Sequence, residues 1–173
     1  GKAYHYKVVC KGDEICVYLG SEQIFSVRDS VCRGNYLALN VFGSNEFNPA
    51  AAGGYACFDN VIFSRGAPSE LGDRWKVESG AWTMCTDGIR VDLSGASDRA
   101  VLLSETHLTD FVLEASILQD DNSAGLLFRA NEKGDGFAVL ADCNKQQIVL
   151  CDGDKAIGAF PLYLDSTQAV RMK

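Results

Sequence analysis

Three features of the sequence predict an all-β fold, most simply a two-sheet antiparallel β-sandwich. Val, Ile and aromatic residues occur in short runs in which apolar and polar side chains alternate, as in strands with one buried face. Gly, Asn and Asp separate these runs about every eight to twelve positions, which is the spacing of turns in sandwiches. No segment combines a 3.6-residue apolar period with the capping residues of a helix. The 173 residues suffice for one domain with its own core.

Apolar runs bounded by turn residues give the predicted strands. The strands are expected at residues 3–10, 14–19, 36–42, 56–63, 109–118, 125–131, 136–142, 146–151 and 155–161. The strand at 109–118 has the clearest pattern, because its apolar odd positions face away from Glu114 and Ser116. Glycines at 134–136 and 152–154 supply the positive φ of hairpin turns.

Seven cysteines are present, and no two of them form a Cys-x-x-Cys pair. Zinc ribbons and thioredoxin-type redox sites therefore have no support. The turn registers predict these cross-strand partners: Cys10 with Ile15, Cys16 with Val9, and Cys151 with Ala138. We expect most of the thiols to be small buried hydrophobes in a reducing or anaerobic setting. The registers do not exclude one disulfide pair.

The charge balance bears on which partners the chain binds. Sixteen basic against 23 acidic residues give a net charge of −7, which disfavours nucleic acid because phosphate binding needs clustered Lys and Arg. No apolar run approaches the roughly 18 residues of a membrane span. No signal segment precedes the first strand, but Gly1 resembles an expression scar, so this says little about location.

The charges also divide the chain in two. Residues 1–66 carry six basic and six acidic side chains, whereas 67–173 carry ten basic and seventeen acidic ones. The change falls in residues 64–72 (SRGAPSELG), the most linker-like segment. Composition supports equally a domain boundary near 64–73 and a long surface loop.

Several segments together resemble a known family. Residues 110–117 (DFVLEASI) and 123–131 (SAGLLFRAN) resemble the concanavalin A-like β-sandwich modules attached to glycoside hydrolase family 32 fructanases such as levanases, close to carbohydrate-binding module family 66. Segments 75–82 and 136–140 are similar to the start and middle of such a module, and 4–20 and 29–63 to its end. The resemblance implies a jelly-roll sandwich and a carbohydrate ligand.

The order of these segments predicts a circular permutation. Residues 1–63 would be the C-terminal half of one module, 64–73 a linker, and 74–173 the N-terminal half of the next. Residues 3–7 (AYHYK) also align weakly with 169–173 (AVRMK), an offset of 169 − 3 = 166 residues that matches one module. We expect a closed monomer cut from a tandem array, with exchange of halves between two chains as the alternative.

Arg129 is the leading candidate for sugar binding. Its strand directs Leu126 and Phe128 to the core, so Arg129 and Asn131 are expected on the other face together with Glu114. An Arg beside a carboxylate fixes sugar hydroxyls with charge-assisted hydrogen bonds. An exposed cross-strand ion pair is the alternative, and the resemblance favours the sugar site.

Further candidates are weaker. Asp135, Asp142, Asp59 and Tyr55 are second-rank sugar contacts. Residues 120–123 (DDNS) carry oxygen ligands for Ca²⁺, but they lack the spacing of a calcium loop, and a solvated turn is favoured. No metal or cofactor is therefore predicted.

The remaining aromatic and histidine residues are interpreted structurally. Trp75 and Trp82 are predicted core anchors rather than sugar platforms, and His5 and His107 lack any second ligand or nucleophile at useful spacing. The sequence also lacks nucleophile-elbow, zincin, phosphate-loop and dinucleotide motifs. The chain is therefore predicted to be non-catalytic.

The resulting prediction is a carbohydrate-binding module for fructan (levan or inulin) or a related glycan. It would belong to a larger extracellular or cell-surface glycoside hydrolase of an anaerobic bacterium. One alternative is a sandwich-fold hydrolase of the keto-disaccharide type, with Arg129 and nearby carboxylates catalytic. The other is a structural spacer or adhesion repeat without a ligand, because fold does not fix function.

Overall fold

The computed structural model describes residues 2–30, 34–42, 55–64, 68–70, 75–85, 88–92, 99–119, 123–142 and 145–162. Within these ranges the chain forms fifteen strands. In chain order they are β1 (Lys2–Lys11), β2 (Glu14–Leu19), β3 (Glu22–Arg28), β4 (Tyr36–Phe42), β5 (Tyr55–Ser64), β6 (Pro68–Glu70), β7 (Trp75–Ser79), β8 (Ala81–Cys85), β9 (Gly88–Asp92), β10 (Arg99–Ser104), β11 (Phe111–Gln119), β12 (Ser123–Ala130), β13 (Phe137–Asp142), β14 (Gln147–Asp152) and β15 (Lys155–Pro161). None of the described segments forms a helix that is long and apolar enough to span a membrane.

The strands build two antiparallel sheets, as the sequence predicts. Sheet A has the order β3-β2-β1-β11-β5-β9-β8, with β6 also paired to β5. Sheet B has the order β15-β14-β13-β12-β4-β10-β7. The all-β sandwich is therefore confirmed.

The main core lies between the sheets and is filled by alternate side chains of both. Strand β11 shows the predicted alternation, since Phe111, Leu113, Ala115 and Ile117 are buried and the residues between them are partly exposed. The ring centroids of Phe128 and Phe137 stack at 5.9 Å within this core. This period-two burial is what fixes the register of a strand in a sandwich.

Most of the nine predicted strands match observed ones closely, and 14–19, 36–42 and 155–161 match at both ends. The sequence did not predict β3 or the five strands from β6 to β10. Strands β6 to β9 have five residues or fewer. Strand β10 is an almost wholly buried apolar run, so it lacks the alternation on which the prediction depends.

The two parts of the chain interleave in both sheets. In sheet A, β1 and β5 pair with the two edges of β11. In sheet B, β4 lies between β10 and β12. Part of the predicted linker, β6, pairs with β5. Residues 169–173 of the weak repeat lie outside the described residues, and the permuted tandem array stays a prediction.

The predicted cysteine registers are confirmed. Cys10 pairs with Ile15, Val9 with Cys16, and Ala138 with Cys151. Cys10, Cys16, Cys85 and Cys151 are not in disulfides, whereas Cys32 and Cys143 lie outside the described residues. Burial raises the pKa of the Cys10 thiol to about 12 and that of Cys151 to about 11.

A second apolar cluster lies on the outer face of sheet B, away from the main core. Its buried members include Val101, Leu127 and Leu140. The β12–β13 loop folds onto this face at Gly134, where an added Cβ would lie 3.2 Å from Val101 Cγ1 and 3.7 Å from Leu127 Cδ2. Gly134 also has a φ of +77°, so glycine suits both the close approach and the backbone conformation. This loop forms one wall of the site described next.

Candidate functional site

A pocket of about 190 Å³ lies on the outer face of sheet B. Its floor consists of Leu127, Ala138 and two side chains of β4, Asn40 and Phe42. The β12–β13 loop and the β14–β15 turn form the walls, and each contributes one exposed carboxylate. These carboxylates are Asp135 and Asp154. The pocket thus combines an apolar floor with a charged rim, a common design for binding small polar molecules.

Arg99, the first residue of β10, holds the pocket together. Its Nη2 donates a hydrogen bond to the Gly134 carbonyl oxygen at 2.6 Å, which ties the β12–β13 loop to the sheet. Its Nε donates to Asn40 Oδ1 at 3.2 Å. The guanidinium carbon lies 5.4 Å from the centre of the Phe42 ring, within cation–π distance. Arg99 therefore fixes both the loop and the floor.

Two opposing effects act on the charge of Arg99. Burial lowers the pKa of its guanidinium, while the negative charges of Asp135 and Asp154 favour the protonated form and raise that pKa. An arginine stays protonated in proteins at neutral pH. The described part of the lining therefore contributes one positive and two negative side chains, an excess of one negative charge.

Asn40 is fully buried on the floor. Because an arginine Nε–H can only donate, the amide atom facing Arg99 must be the oxygen. The amide nitrogen then points away from Arg99, and Nδ2 has no hydrogen-bond partner among the described residues. A buried polar atom without a partner is uncommon in folded proteins and needs a physical reason.

The structure brings Asn131 and Asp135 together, both of which the sequence identified as candidates. Asn131 Nδ2 donates to Asp135 Oδ2 at 3.2 Å, and its Oδ1 accepts from the backbone N–H of Asp135 at 3.0 Å. Asn131 thus shapes the β12–β13 loop, and Asp135 lines the pocket.

Arg129 lies in a different place from the predicted one. Its side chain is 3% exposed. Its Nη1 donates to the Asp29 carbonyl oxygen at 2.9 Å, and its Nη2 donates to the carbonyl oxygen of Gly12 in the β1–β2 turn. Arg129 therefore connects sheet B to one end of sheet A and does not line the pocket.

The predicted common face of Arg129 and Glu114 is wrong because β12 belongs to sheet B and β11 to sheet A. A local irregularity also turns Arg129 away from the outer face of its own sheet. The register of β12 against β4 shifts between Leu127 and Ala130, and Arg129 itself has a φ of +49°. Such an irregularity breaks the alternation of side chains and redirects one of them.

Glu114 lies in β11 of sheet A. Its Oε1 is 3.3 Å from Lys7 Nζ on the neighbouring strand, and its Oε2 is 3.8 Å from His5 Nε2. His5 Nδ1 also lies 3.3 Å from Ser116 Oγ. Glu114 is thus one half of a cross-strand ion pair, with Lys7 as the partner in place of Arg129.

Asp142 also lies apart from the pocket lining. Asp142 is 1% exposed at the end of β13, where its Oδ1 accepts from the Lys145 backbone N–H at 3.1 Å. Tyr55 begins β5, and its side chain is outside the described part. Asp59 is exposed on β5 of sheet A.

The predicted metal loop falls mostly outside the described chain, since only Ser123 of residues 120–123 is included. Among the residues that the structure describes, no group of three or more His, Cys, Asp or Glu side chains is placed to hold a metal ion.

The structural interpretation of the tryptophans is confirmed. Trp75 and Trp82 are partly buried against the main core. Trp82 lies 5.9 Å from the Phe58 ring and donates its Nε1–H to the Ser79 carbonyl oxygen at 2.8 Å.

Sequence reasoning missed four residues of the pocket: Asn40, Phe42, Arg99 and Asp154. One signal was present for Asn40, because it is the only polar residue within the last six positions of β4 (LALNVF), five of which are buried. A polar side chain inside such a strand indicates a hydrogen-bonding task. Arg99 has no comparable local signal, since its partners come from distant segments.

The chain was also compared with known proteins. No protein-family model matches the sequence, and no curated protein matches it significantly.

Proposed function

We propose that this chain is a non-catalytic carbohydrate-binding module that holds one sugar residue in the pocket beside Arg99. The observation that carries the proposal is the composition of the pocket. It joins the apolar surface of Leu127, Ala138 and Phe42 to the carboxylates of Asp135 and Asp154.

Such a lining matches the chemistry of a sugar. Hydroxyl groups donate hydrogen bonds to carboxylates, and these charge-assisted bonds are stronger than neutral ones. The C–H face of a sugar ring packs against an apolar floor. The amide nitrogen of Asn40 adds a donor for a ring or hydroxyl oxygen.

The size of the pocket suits a single residue of a chain. Its volume of about 190 Å³ is below the roughly 300–1,000 Å³ of pockets for drug-sized ligands. Arg99 ties the loop to the floor before any ligand arrives, so little ordering would be needed on binding. We therefore expect the pocket to take the end of a glycan.

Fructan is the first glycan to test, because the sequence resembles modules of family 32 fructanases. In that setting the module would tether a catalytic domain to levan or inulin outside the cell, which raises the local substrate concentration. We propose that the chain does this as a closed monomer.

Calorimetric titration with levan, inulin and fructose tests the proposal. We expect Asp135→Ala to weaken binding by at least about tenfold, since a lost charge-assisted hydrogen bond is worth about 1.5–3 kcal/mol. Glu114→Ala is the matched control, because that carboxylate lies on the other sheet beside Lys7 and its removal should leave binding unchanged. Loss of sugar binding in the Glu114 variant alone would indicate that the site lies on sheet A. If the wild type binds none of these glycans, the alternative of a structural spacer without a ligand would be favoured.

A second candidate, hydrolysis, is favoured by one observation. Asp135 and Asp154 both line the same pocket, and glycosidases act through two carboxylates beside the scissile bond. Release of monosaccharide from keto-disaccharides or levan, abolished in both Asp135→Asn and Asp154→Asn, would establish it. Binding without product release would exclude it for those substrates.

A further inference from the structure

We infer that the pocket accepts uncharged sugars and rejects anionic ones, and that Asn40 determines this specificity together with the two rim carboxylates. The inference rests on the proposed function and adds to it the class of ligand. It also gives the unpartnered amide nitrogen of Asn40 a role.

Asn40 is a donor held in one orientation. Its Oδ1 accepts from Arg99 Nε at 3.2 Å, so the amide cannot turn over without placing two donors against each other. Its Nδ2 lacks a partner within the described ranges, and the side chain is fully buried. Asn40 lines the pocket, so a ligand whose acceptor oxygen reaches Nδ2 would relieve the cost of this unmade hydrogen bond.

The charges of the pocket work against an anion. Among the described residues of the lining, Arg99 is the only cation, and its Nη2 and Nε already donate to Gly134 and Asn40. Asp135 and Asp154 stand at the rim and act electrostatically on Arg99. A carboxylate or phosphate entering between them would meet two like charges, which disfavours its binding.

Arg99 could by itself suggest an anion receptor. That role needs a guanidinium whose paired N–H groups face the ligand in a fork. Here one edge of the guanidinium, formed by Nε and Nη2, donates to a side-chain amide and a backbone carbonyl instead. The geometry therefore assigns Arg99 to positioning, and leaves recognition to Asn40, Asp135 and Asp154.

Matched pairs of sugars test the charge selection. Chemical shifts of the protein would be followed during titration with glucose and glucuronate, galactose and galacturonate, and fructose and fructose 6-phosphate. For each pair in which one member binds, we expect the neutral sugar to bind at least about tenfold more tightly. In the double variant Asp135→Asn with Asp154→Asn, the difference in affinity between the neutral and the anionic sugar should become smaller. An anionic member that binds the wild type as tightly as its neutral partner would overturn the selection, while the sugar site itself would stand.

Asn40→Asp tests the donor. The variant keeps size and an oxygen facing Arg99, but it replaces the amide N–H by a carboxylate oxygen. We expect neutral sugars to bind at least about tenfold more weakly, with the thermal midpoint retained because Arg99 gains an ion pair. Asn40→Ser keeps a shorter donor and should recover part of the affinity, which a purely structural role would not predict.

Asn35→Asp is the control, because Asn35 contacts His107 outside the pocket and its change should leave sugar affinity intact. Wild-type affinity in Asn40→Asp would contradict the role of Asn40 and leave the proposed function in place. Absence of binding by the wild type to every sugar would contradict both.

Discussion

Two arginines of sheet B have different roles, Arg129 being buried and Arg99 partly buried. Arg129 reaches across to sheet A and donates to the backbone carbonyls of Asp29 and Gly12. Arg99 stays on the outer face and donates to the Gly134 carbonyl and the Asn40 side chain. Both satisfy backbone acceptors, but only Arg99 lines a pocket that also holds carboxylates.

The difference shows that the residue type does not indicate the role. A guanidinium surrounded by carbonyls between two sheets stabilises the sandwich, because those carbonyls would otherwise be buried without donors. A guanidinium that fixes a loop beside a pocket instead orders the surface to which we propose that a sugar binds. The comparison can be tested by removing each arginine and measuring stability and sugar binding separately.

The largest loss of stability is expected from Arg129→Met. Two carbonyl oxygens would lose charged donors inside the protein, which should lower the free energy of unfolding by about 3 kcal/mol. Urea unfolding followed by fluorescence measures it. Arg28→Met is the matched control, because the Arg28 side chain is 76% exposed and 3.9 Å from Asp13. If Arg129→Met and Arg28→Met had equal free energies of unfolding, the hydrogen bonds of Arg129 would not stabilise the sandwich, and the proposed difference between Arg129 and Arg99 would be contradicted.

Arg99→Met should lower the free energy of unfolding less than Arg129→Met does, but it should weaken sugar binding more. We expect the free energy of unfolding to fall by about 1–2 kcal/mol, since one loop contact and one amide contact are lost near the surface. Sugar affinity should fall more than tenfold, because the loop and Asn40 lose their common support. Titration of the folded variant measures this, and retained affinity would show that the pocket forms without Arg99.

Two thiols report on the same two regions. Burial raises the pKa of Cys10, which contacts Arg129, to about 12, and that of Cys151, which Asp154 influences, to about 11. The unfolded chain has the ordinary value of 9.0, so it loses these protons first. Their contribution to stability is complete below pH 9 and falls as the pH rises toward 11 and 12.

Thermal unfolding between pH 8 and 10.5 should show a falling midpoint, and the decline should be smaller in Cys151→Ala. At neutral pH, iodoacetamide should label exposed Cys85 before Cys10 and Cys151, because only the thiolate reacts. Early labelling of Cys10, detected by mass spectrometry, would contradict this account of the Arg129 region.

The smallest effect is expected from Glu114→Gln. Its ion pair with Lys7 is partly exposed, and such pairs contribute about 0–1 kcal/mol. We expect the free energy of unfolding to change by less than about 0.5 kcal/mol, with sugar binding unaltered. A large effect on either measurement would indicate a function for the outer face of sheet A.

Local patterns carried most of the fold prediction. The turn after β1 places Cys10 opposite Ile15 because adjacent strands in a hairpin inherit their register from the turn. Strands with clear alternation, such as β2 and β11, were predicted nearly to their ends. Strand β10 was not predicted, because burial on both faces removes the alternation of apolar and polar residues.

The site was predicted only in part. Asp135 and Asn131 could be proposed from their place in a glycine-containing turn, and they do meet. The position of the Arg129 side chain could not be predicted, because a shift of register redirects it and no periodic pattern records such a shift.

The sequence by itself determined the all-β class, the hairpin registers and the apolar faces, because these depend on residues close together in the chain. Only the tertiary structure decided which polar residues meet. Arg99 and Asn40 are 59 positions apart, and they become neighbours because β10 pairs with β4. The pocket exists because that pairing places the pair beneath the β12–β13 loop, and long-range strand order is not encoded in any single segment.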